Sequence, residues 1–291
     1  MTGGATSPQL RWDAERLWQQ LQPVLPGVDV EVWARCESTN TALLERARHA
    51  AEADTDAMVD PRFGRRQADL GGCLLVAEHQ TRGRGRQGRP WQSAAGASLT
   101  FSLALPLAPC SWAGLSLAVG VALADALEPP RDGAGRIGLK WPNDLWLLDA
   151  PGQGRKLGGV LIETTPVGSQ RLVVVGVGLN IAPQAQDGLN TGFACMQELD
   201  PAWTAPAALH RVAPPLAEAL KCFERDGFGP FSARYAGRDL LASRPVRTTA
   251  PECPEGIACG VDDEGALRVR HAGGECRLGS GEVSVRLDGG C

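Results

Sequence analysis

Hydrophobic positions along the chain fall into two regimes. Up to about residue 241, apolar runs of strand length alternate with longer stretches of helical spacing. From about Arg244 the pattern shortens to alternating segments of a few residues. The Gly-, Ser- and Thr-rich start, residues 1–10, predicts a disordered tail. Trp12, Leu17, Trp18 and Leu21 in "RWDAERLWQQLQPVL" (11–25) predict a short amphipathic helix. "CESTNTALLERARHAAEA" predicts a second, with cap-forming types at Ser38, Thr39 and Asn40 and a buried stripe of Leu43, Leu44 and Ala47. The polar stretch 54–70, with Pro61 and Gly64, predicts a loop or insertion.

"GGCLLVAEHQ" predicts a buried strand running into an arginine-rich loop, and "ASLTFSLAL" (97–105) a strand after it. "WAGLSLAVGVALADAL" is apolar on nearly every face, as a core helix is. "IGLKWPNDLWLL" and "RKLGGVLIET" predict two strands joined by the turn "DAPGQG", and "RLVVVGVGLNI" predicts another. "APAALHRVAPPLAEALKCFERDG" predicts helix on both sides of Pro214-Pro215, with a short helix after Gly229. The segments "RPVRTTA", "GIACGVD", "ALRVRH", "ECRLGS" and "EVSVRL" predict a small all-β barrel. The expected organisation is a tail and short helix (1–32), a large α+β domain (33–241) and the barrel (242–291).

Composition narrows the chemistry. With 43% hydrophobic residues, the chain of 291 can bury a substantial core. A net charge of −4 argues against a surface that binds nucleic acid throughout, so clustered arginines point to a local anionic ligand. The nine cysteines form no C-x-x-C pair, and the spacing of Cys253 and Cys259 matches no common zinc pattern; reduced thiols in a cytoplasmic protein are expected. The N-terminus lacks the features of a secretory signal, and the apolar run Ala113–Ala124 is too short to cross a bilayer.

"GRGRQGRPW" (83–91) packs three glycines and three arginines into seven residues before Pro90 and Trp91. Gly83, Gly85 and Gly88 spell a dinucleotide-binding G-x-G-x-x-G, but loop and strand follow where that motif needs a helix, and no acidic residue sits about twenty positions on to hold a ribose. The box is not repeated, as an RNA-binding arginine–glycine tract would be, and no Walker loop exists. Two readings remain. One is a solvated arginine-rich turn. The other is an anion-gripping loop, in which glycines admit backbone N–H groups and Arg82, Arg84, Arg86 and Arg89 meet phosphate; that loop is expected to order on filling. "KWPNDL" (140–145) is either a strand ending in an Asn-Asp turn or a site where Lys140 neutralises an anion and Asn143 and Asp144 hold nucleotide or Mg²⁺ with its waters. "GVGLN" (176–180) offers Gly176 and Gly178 for close approach and Asn180 as an amide reader.

Ser38-Thr39-Asn40, Gln80 with "GRGRQGRPW", "KWPNDL", "KLGGVLIE" and "GVGLN", in that order, resemble the bacterial biotin–protein ligases; weaker similarity runs through "RPVR", "DDEGAL" and "GEVSVR". The resemblance implies an α+β catalytic domain of class II synthetase-like, biotin–lipoate ligase-like type, with a mixed β-sheet and packed helices, followed by a small SH3-like β-barrel. It implies that biotin and ATP give biotinyl-5′-AMP and pyrophosphate, after which a lysine of a biotin carboxyl carrier protein takes the biotin. By carry-over, Ser38, Thr39, Asn40, Gln80, Arg84, Gly85, Arg86 and Lys140 contact biotin. Arg86, Arg89, Trp91, Asn143, Lys156, Asn180 and Phe193 face ATP or the adenylate, though a tryptophan is the aromatic expected at the last position. Lys140 and Arg86 are the expected catalytic cations, and Asp144 an expected ligand of Mg²⁺ through water. The isolated His49, His79, His210 and His271 read as structural or surface residues. Asp132 and Asp144 are the nearest carboxylates to Lys140 in sequence, and neither is assigned as base for the acceptor amine. Only some thirty residues precede the resembling part, so a monofunctional ligase without a DNA-binding domain is expected. Its partners are then the carrier, biotin and ATP, without nucleic acid or membrane. The alternatives are a lipoate or octanoate ligase or transferase of the same fold, and a biotin-binding sensor that has lost catalysis.

Overall fold

The computed structural model describes residues 10–56, 71–128, 135–150, 153–184, 192–280 and 284–287. The expected N-terminal tail, save Leu10, and most of the 54–70 loop lie outside them. In chain order, α1 (Ala14–Leu21) leads to β1 (Asp29–Cys36), α2 (Thr39–Asp56) and β2 (Cys73–Gln80). The arginine loop forms its own short ladder, β3 (Gly83–Arg84) with β4 (Pro90–Trp91), before β5 (Ser98–Pro106) and α3 (Leu115–Leu127). Four strands follow, β6 (Ile137–Lys140), β7 (Asp144–Ala150), β8 (Gln153–Val167) and β9 (Gln170–Asn180), then α4 (Ala205–Asp226) and α5 (Gly229–Ala236).

The main sheet has the order β1-β2-β5-β9-β8-β7-β6. β1 and β2 are parallel, as the α2 crossover requires, and the other neighbours are antiparallel, so the sheet is mixed. Alternate residues of the inner strands go to opposite faces. Leu74, Val76, Leu103, Leu105, Val173 and Val175 join a large core with residues of α1, α3 and α4, whereas Leu75, Ala104, Leu172 and Val174 pack on Leu43, Leu44 and Ala47 of α2.

Three local outcomes differ from the sequence expectation. β1 crosses the expected boundary at residue 33, and α1 sends Leu17 and Leu21 into the same core as the sheet. β1 is an edge strand whose residues are half-buried or exposed, which is why its apolar signal is weak. "IGLKWPNDLWLL" is two strands, because the chain reverses at Trp141 and a cis Pro142 and pairs Lys140 with Asp144. Pro142 has no N–H to continue a ladder, and Trp141, fully buried, donates its Nε1–H to Gly265 O at 3.1 Å. α4 runs unbroken through Pro214 and Pro215. Val212, Ala213, Leu216 and Ala217 are buried on either side, so core packing holds the turn that the missing N–H groups weaken.

The C-terminal residues form an antiparallel sheet in the order β13-β12-β11-β10-β14, from β10 (Pro245–Thr248), β11 (Glu255–Val261), β12 (Leu267–His271), β13 (Gly274–Leu278) and β14 (Val285–Leu287). This is the expected small SH3-like barrel. Its buried Val246, Ala258, Leu267 and Val269 are continuous with the large core. No helix among the described residues is long and apolar enough to cross a membrane.

Candidate active site

β1 ends beside β2, with Cys36 paired to Gln80, and the chain turns at once into α2. This brings the first turn of α2 onto the end of β2. Ser38 caps the helix, its Oγ accepting from Thr41 N–H at 3.4 Å. Thr39 and Asn40 turn inward instead. The Thr39 N–H donates to Gln80 Oε1 at 2.7 Å, and Ser102 Oγ lies 2.6 Å from both Thr39 Oγ1 and Asn40 Oδ1. Asn40 Nδ2 donates to Glu163 Oε2 at 2.9 Å and to Leu161 O at 3.2 Å. Ser38, Thr39, Asn40 and Gln80 are all buried, so the expected "STN" and glutamine residues form one buried polar cluster.

Beyond Leu172 and Val174, the α2-facing side of β9 continues with Gly176 and Gly178, and Gly159 of β8 pairs with Gly178. The side chains that apolar packing needs give way to bare backbone. A Cβ on Gly176 would meet Asn40 Oδ1 at 2.3 Å, and one on Gly178 would meet Trp91 Cε2 at 2.5 Å. The close approach expected at these glycines is therefore made by the protein's own Asn40 and Trp91. Trp91, paired with Gly83 across the loop, clamps the arginine segment to this floor.

The arginines diverge. Arg84 Nη2 reaches Thr41 Oγ1 at 3.0 Å and lies 3.4 Å from both carboxylate oxygens of Glu163. Arg82 pairs loosely with Glu37 at 3.4 Å. Both arginines flank an open cleft of about 340 Å³ with Thr41, Arg48 and Glu163, and Lys140 does not line it. Arg86, the first residue of the turn, is half-buried and bonds Ser280 O of the barrel. Burial lowers its pKa, with Asp144 opposing and Arg89 adding to the shift. Lys140 also meets the barrel, donating to Val285 O at 2.7 Å. Burial holds its ammonium below the usual lysine range; Asp144 opposes this, and the charges of Lys156, Arg89 and Arg286 reinforce it. Five cations thus gather around one carboxylate.

On the neighbouring strands, Lys156 Nζ pairs with Asp144 Oδ1 at 2.7 Å. Asn143 spends its amide on the fold, donating Nδ2–H to Val160 O at 2.7 Å. Asn180 Nδ2 donates to Lys156 O at 3.2 Å and Ala194 O at 3.0 Å, which ties the segment after residue 191 to the sheet. Phe193, half-buried, lies in that segment and bridges to Lys156. The structure thus brings Lys156, Asn180 and Phe193 together near Asp144. Two buried polar atoms here lack protein partners: Trp91 Nε1, a donor, and Asn180 Oδ1, an acceptor. Such atoms mark a place where a polar ligand would be held. Asp132 lies outside the described residues.

Sequence reading missed Ser102, Glu163, Arg286 and the carbonyls of Ser280 and Val285. Ser102 and Glu163 sit in strands whose residues look like plain sheet, and only cross-strand register aims them at Asn40. His210 accords with its structural reading, bonded to Gln20 Oε1 at 2.8 Å and Trp12 O at 2.9 Å.

Residues 65–180 match the Biotin/lipoate A/B protein ligase family. The bifunctional ligase/repressor BirA of Salmonella typhimurium is 34% identical over 94% of this chain and 78% of its own length. The biotin–[acetyl-CoA-carboxylase] ligase of Mycobacterium tuberculosis is 33% identical over 91% of this chain and 89% of its own. Among solved structures, the biotin protein ligase of Aquifex aeolicus in complex with biotin and ATP superposes with a TM-score of 0.67 at 25% identity, covering 89% of this chain and 99% of that one. With its motifs brought together on one glycine-floored sheet face and a third of its residues shared with such relatives, this chain belongs to the biotin/lipoate A/B protein ligase family, as a biotin–protein ligase.

Proposed function

We propose that the chain activates biotin with ATP and transfers it to a lysine of a biotin carboxyl carrier protein at the site built around Lys140. In the first step a biotin carboxylate oxygen attacks the α-phosphorus of ATP, the bond to the β-phosphate oxygen breaks, and pyrophosphate leaves. In the second, the neutral ε-amine of the carrier lysine attacks the acyl carbon, AMP leaves, and the nitrogen loses a proton. A carboxylate is already ionised at neutral pH, so the first step needs no base; its barrier is the meeting of two anions. The observation that carries the reading is Lys140, half-buried, held by Val285 O and set opposite Asp144, which itself pairs with Gly159 of the glycine floor, with the charges of Lys156, Arg89 and Arg286 acting on it.

In this reading the buried cluster of Ser38, Thr39, Asn40 and Gln80 receives biotin, with Arg84, Gly85 and Arg86 closing over it. Lys140 and Arg86 meet the charge that develops between carboxylate and α-phosphate. Arg89, Trp91, Lys156, Asn180 and Phe193 hold the nucleotide, with Trp91 Nε1 and Asn180 Oδ1 as ready partners; Asn143 supports the site through Val160. Among the described residues Asp144 is the one carboxylate acting on Lys140, and it is already paired with Lys156, so these residues do not by themselves build a Mg²⁺ site. Mg²⁺, where present, would enter with the triphosphate and offset its charge. All cysteines among the described residues are free, in keeping with a cytoplasmic site of action.

ATP–pyrophosphate exchange on the purified protein tests the reading. Exchange dependent on biotin is the expected result. Exchange driven by lipoate or octanoate would assign the site to the other branch of the family, and none with any acid would leave a binding protein.

A further inference from the structure

Three side chains that the active site does not use converge in the barrel. Cys253 lies in the loop between β10 and β11, His271 ends β12, and Cys276 sits within β13. Their ligand atoms all lie within 4.8 Å of one another. Cys276 Sγ is 3.1 Å from His271 Nε2, and Cys253 Sγ is in contact range of Cys276. Two sulfurs and an imidazole nitrogen bound to one zinc-sized ion stand about 3.6–3.8 Å apart, from Zn–S near 2.3 Å and Zn–N near 2.0–2.1 Å in a tetrahedron. The protein atoms already stand on that scale. Cys253 is fully buried, whereas His271 and Cys276 are half-buried, so the cluster opens to solvent on one side, by Glu252, whose carbonyl is 3.8 Å from Cys276 Sγ.

We propose that Cys253, His271 and Cys276 form a binding site for one thiophilic divalent cation of the Zn²⁺ class, with solvent as fourth ligand. Thiolate and imidazole donors select such ions over Mg²⁺ or Ca²⁺. Without the ion, His271 Nδ1 accepts from Gly273 N–H at 3.2 Å, which places the ring proton on Nε2, toward Cys276. Binding displaces the two thiol protons to solvent and moves the imidazole proton from Nε2 to Nδ1; the Gly273 hydrogen bond opens in an exposed turn that can adjust. No oxidation is involved, and the ion takes the electron pairs of both sulfurs and Nε2.

The site lies close to the catalytic face. Thr248 Oγ1 bonds Cys253 O, Thr248 pairs with Val285, and Val285 O holds Lys140. An ion here ties the 249–254 loop to the β12–β13 hairpin and thereby steadies β14, although its binding does not depend on the ligase reading.

The test is cobalt titration of the full chain, stripped with a chelator and kept reduced with a phosphine. A thiolate-to-cobalt charge-transfer band that saturates at one ion per chain and is bleached by Zn²⁺ is expected. Cys276→Ser should abolish it and His271→Ala should weaken binding at least tenfold, while Cys259→Ser and Cys110→Ser leave it intact. Bound ion should also raise Tm in the parent chain and not in Cys276→Ser. Should Cys276→Ser fail to fold, His271→Gln carries the same comparison on a half-buried side chain. No band when cobalt is added to the stripped protein, a band that survives both Cys276→Ser and His271→Gln, or a Cys253–Cys276 disulfide in place of uptake under reducing conditions would each overturn the proposal.

Discussion

Trp91 lies across Gly178, where a Cβ would meet the indole Cε2 at 2.5 Å. Gly178→Ala must push the indole outward, and Trp91 is paired with Gly83 at the base of the arginine loop. Overpacking of this kind costs about 1–3 kcal/mol. The larger effect belongs to the chemistry, because a displacement near 1 Å in a reacting geometry costs on the order of 10²-fold. Pyrophosphate exchange should therefore fall far more than urea stability, and Gly229→Ala, with nothing within 4 Å of its added Cβ, should change neither. Asp239 makes a second residue-scale prediction. Burial raises its pKa to about 6, against backbone N–H groups of Leu241 and Ala242 that lower it. A folded pKa above the unfolded value of 3.8 means that the native state holds the proton more tightly. That contribution is complete below the unfolded pKa and is lost as pH rises through about 6. Asp239→Asn removes the dependence, so unfolding curves should show the variant gaining on the parent between pH 5 and 7.5 by about 1.4 kcal/mol, roughly one pKa unit's worth, the rest of the change lying below pH 5. Equal differences at both pH values would refute the assignment.

At the scale of elements, α4 carries two consecutive prolines through its middle with the helix unbroken. Pro215 cannot donate to the carbonyl of Arg211, and it disfavours helical geometry at Pro214. Burial of Val212, Ala213, Leu216 and Ala217 overrides both penalties. Pro215→Ala restores an N–H at a half-buried position, and denaturant titration should show a gain of about 1–3 kcal/mol. A loss would mean that the ring packs better than the restored hydrogen bond. The β6–β7 hairpin follows the same logic in reverse. Its apolar run is continuous in sequence, yet Pro142 cannot extend a ladder, and the turn it makes sets Lys140 directly opposite Asp144.

For the molecule as a whole, the barrel is tied to the candidate site and to the sheet beneath it. Its main chain accepts from Lys140 at Val285 and from Arg86 at Ser280, Ser284 Oγ meets Gln87 Oε1 at 3.0 Å, and Gly265 O accepts from buried Trp141. Because the barrel's apolar residues are continuous with the large core, the chain should unfold in one cooperative step. Trp141→Phe leaves Gly265 O unpaired beside a small void and should cost about 1–3 kcal/mol while keeping that single step. Separate barrel and sheet transitions in the parent protein, followed by calorimetry, would show the two units to be energetically independent.

The sequence by itself determined the order of elements through most of the catalytic part, the existence of the barrel and the family. Each motif's chemistry is contiguous in the chain: a strand delivers Gln80 into the arginines, and Lys140 precedes Asn143 and Asp144 by a few residues. Helix capping at Ser38 was legible for the same reason. What each residue faces was not. Arg84 and Arg86 are two positions apart, yet one pairs with Glu163 and the other reaches the barrel, because Arg84 lies in β3 while Arg86 opens the turn at the loop's tip. The amide of Asn143 is consumed by Val160, and Gly176 and Gly178 make room for Asn40 and Trp91, facts set by cross-strand register. Cys253, His271 and Cys276 show no metal-binding spacing because they come from a loop and two strands, and only the closure of the barrel brings them within 4.8 Å. Local periodicity and capping act between neighbours in sequence, so a single chain displays them; long-range register and domain docking join residues far apart, and only the folded molecule decides them.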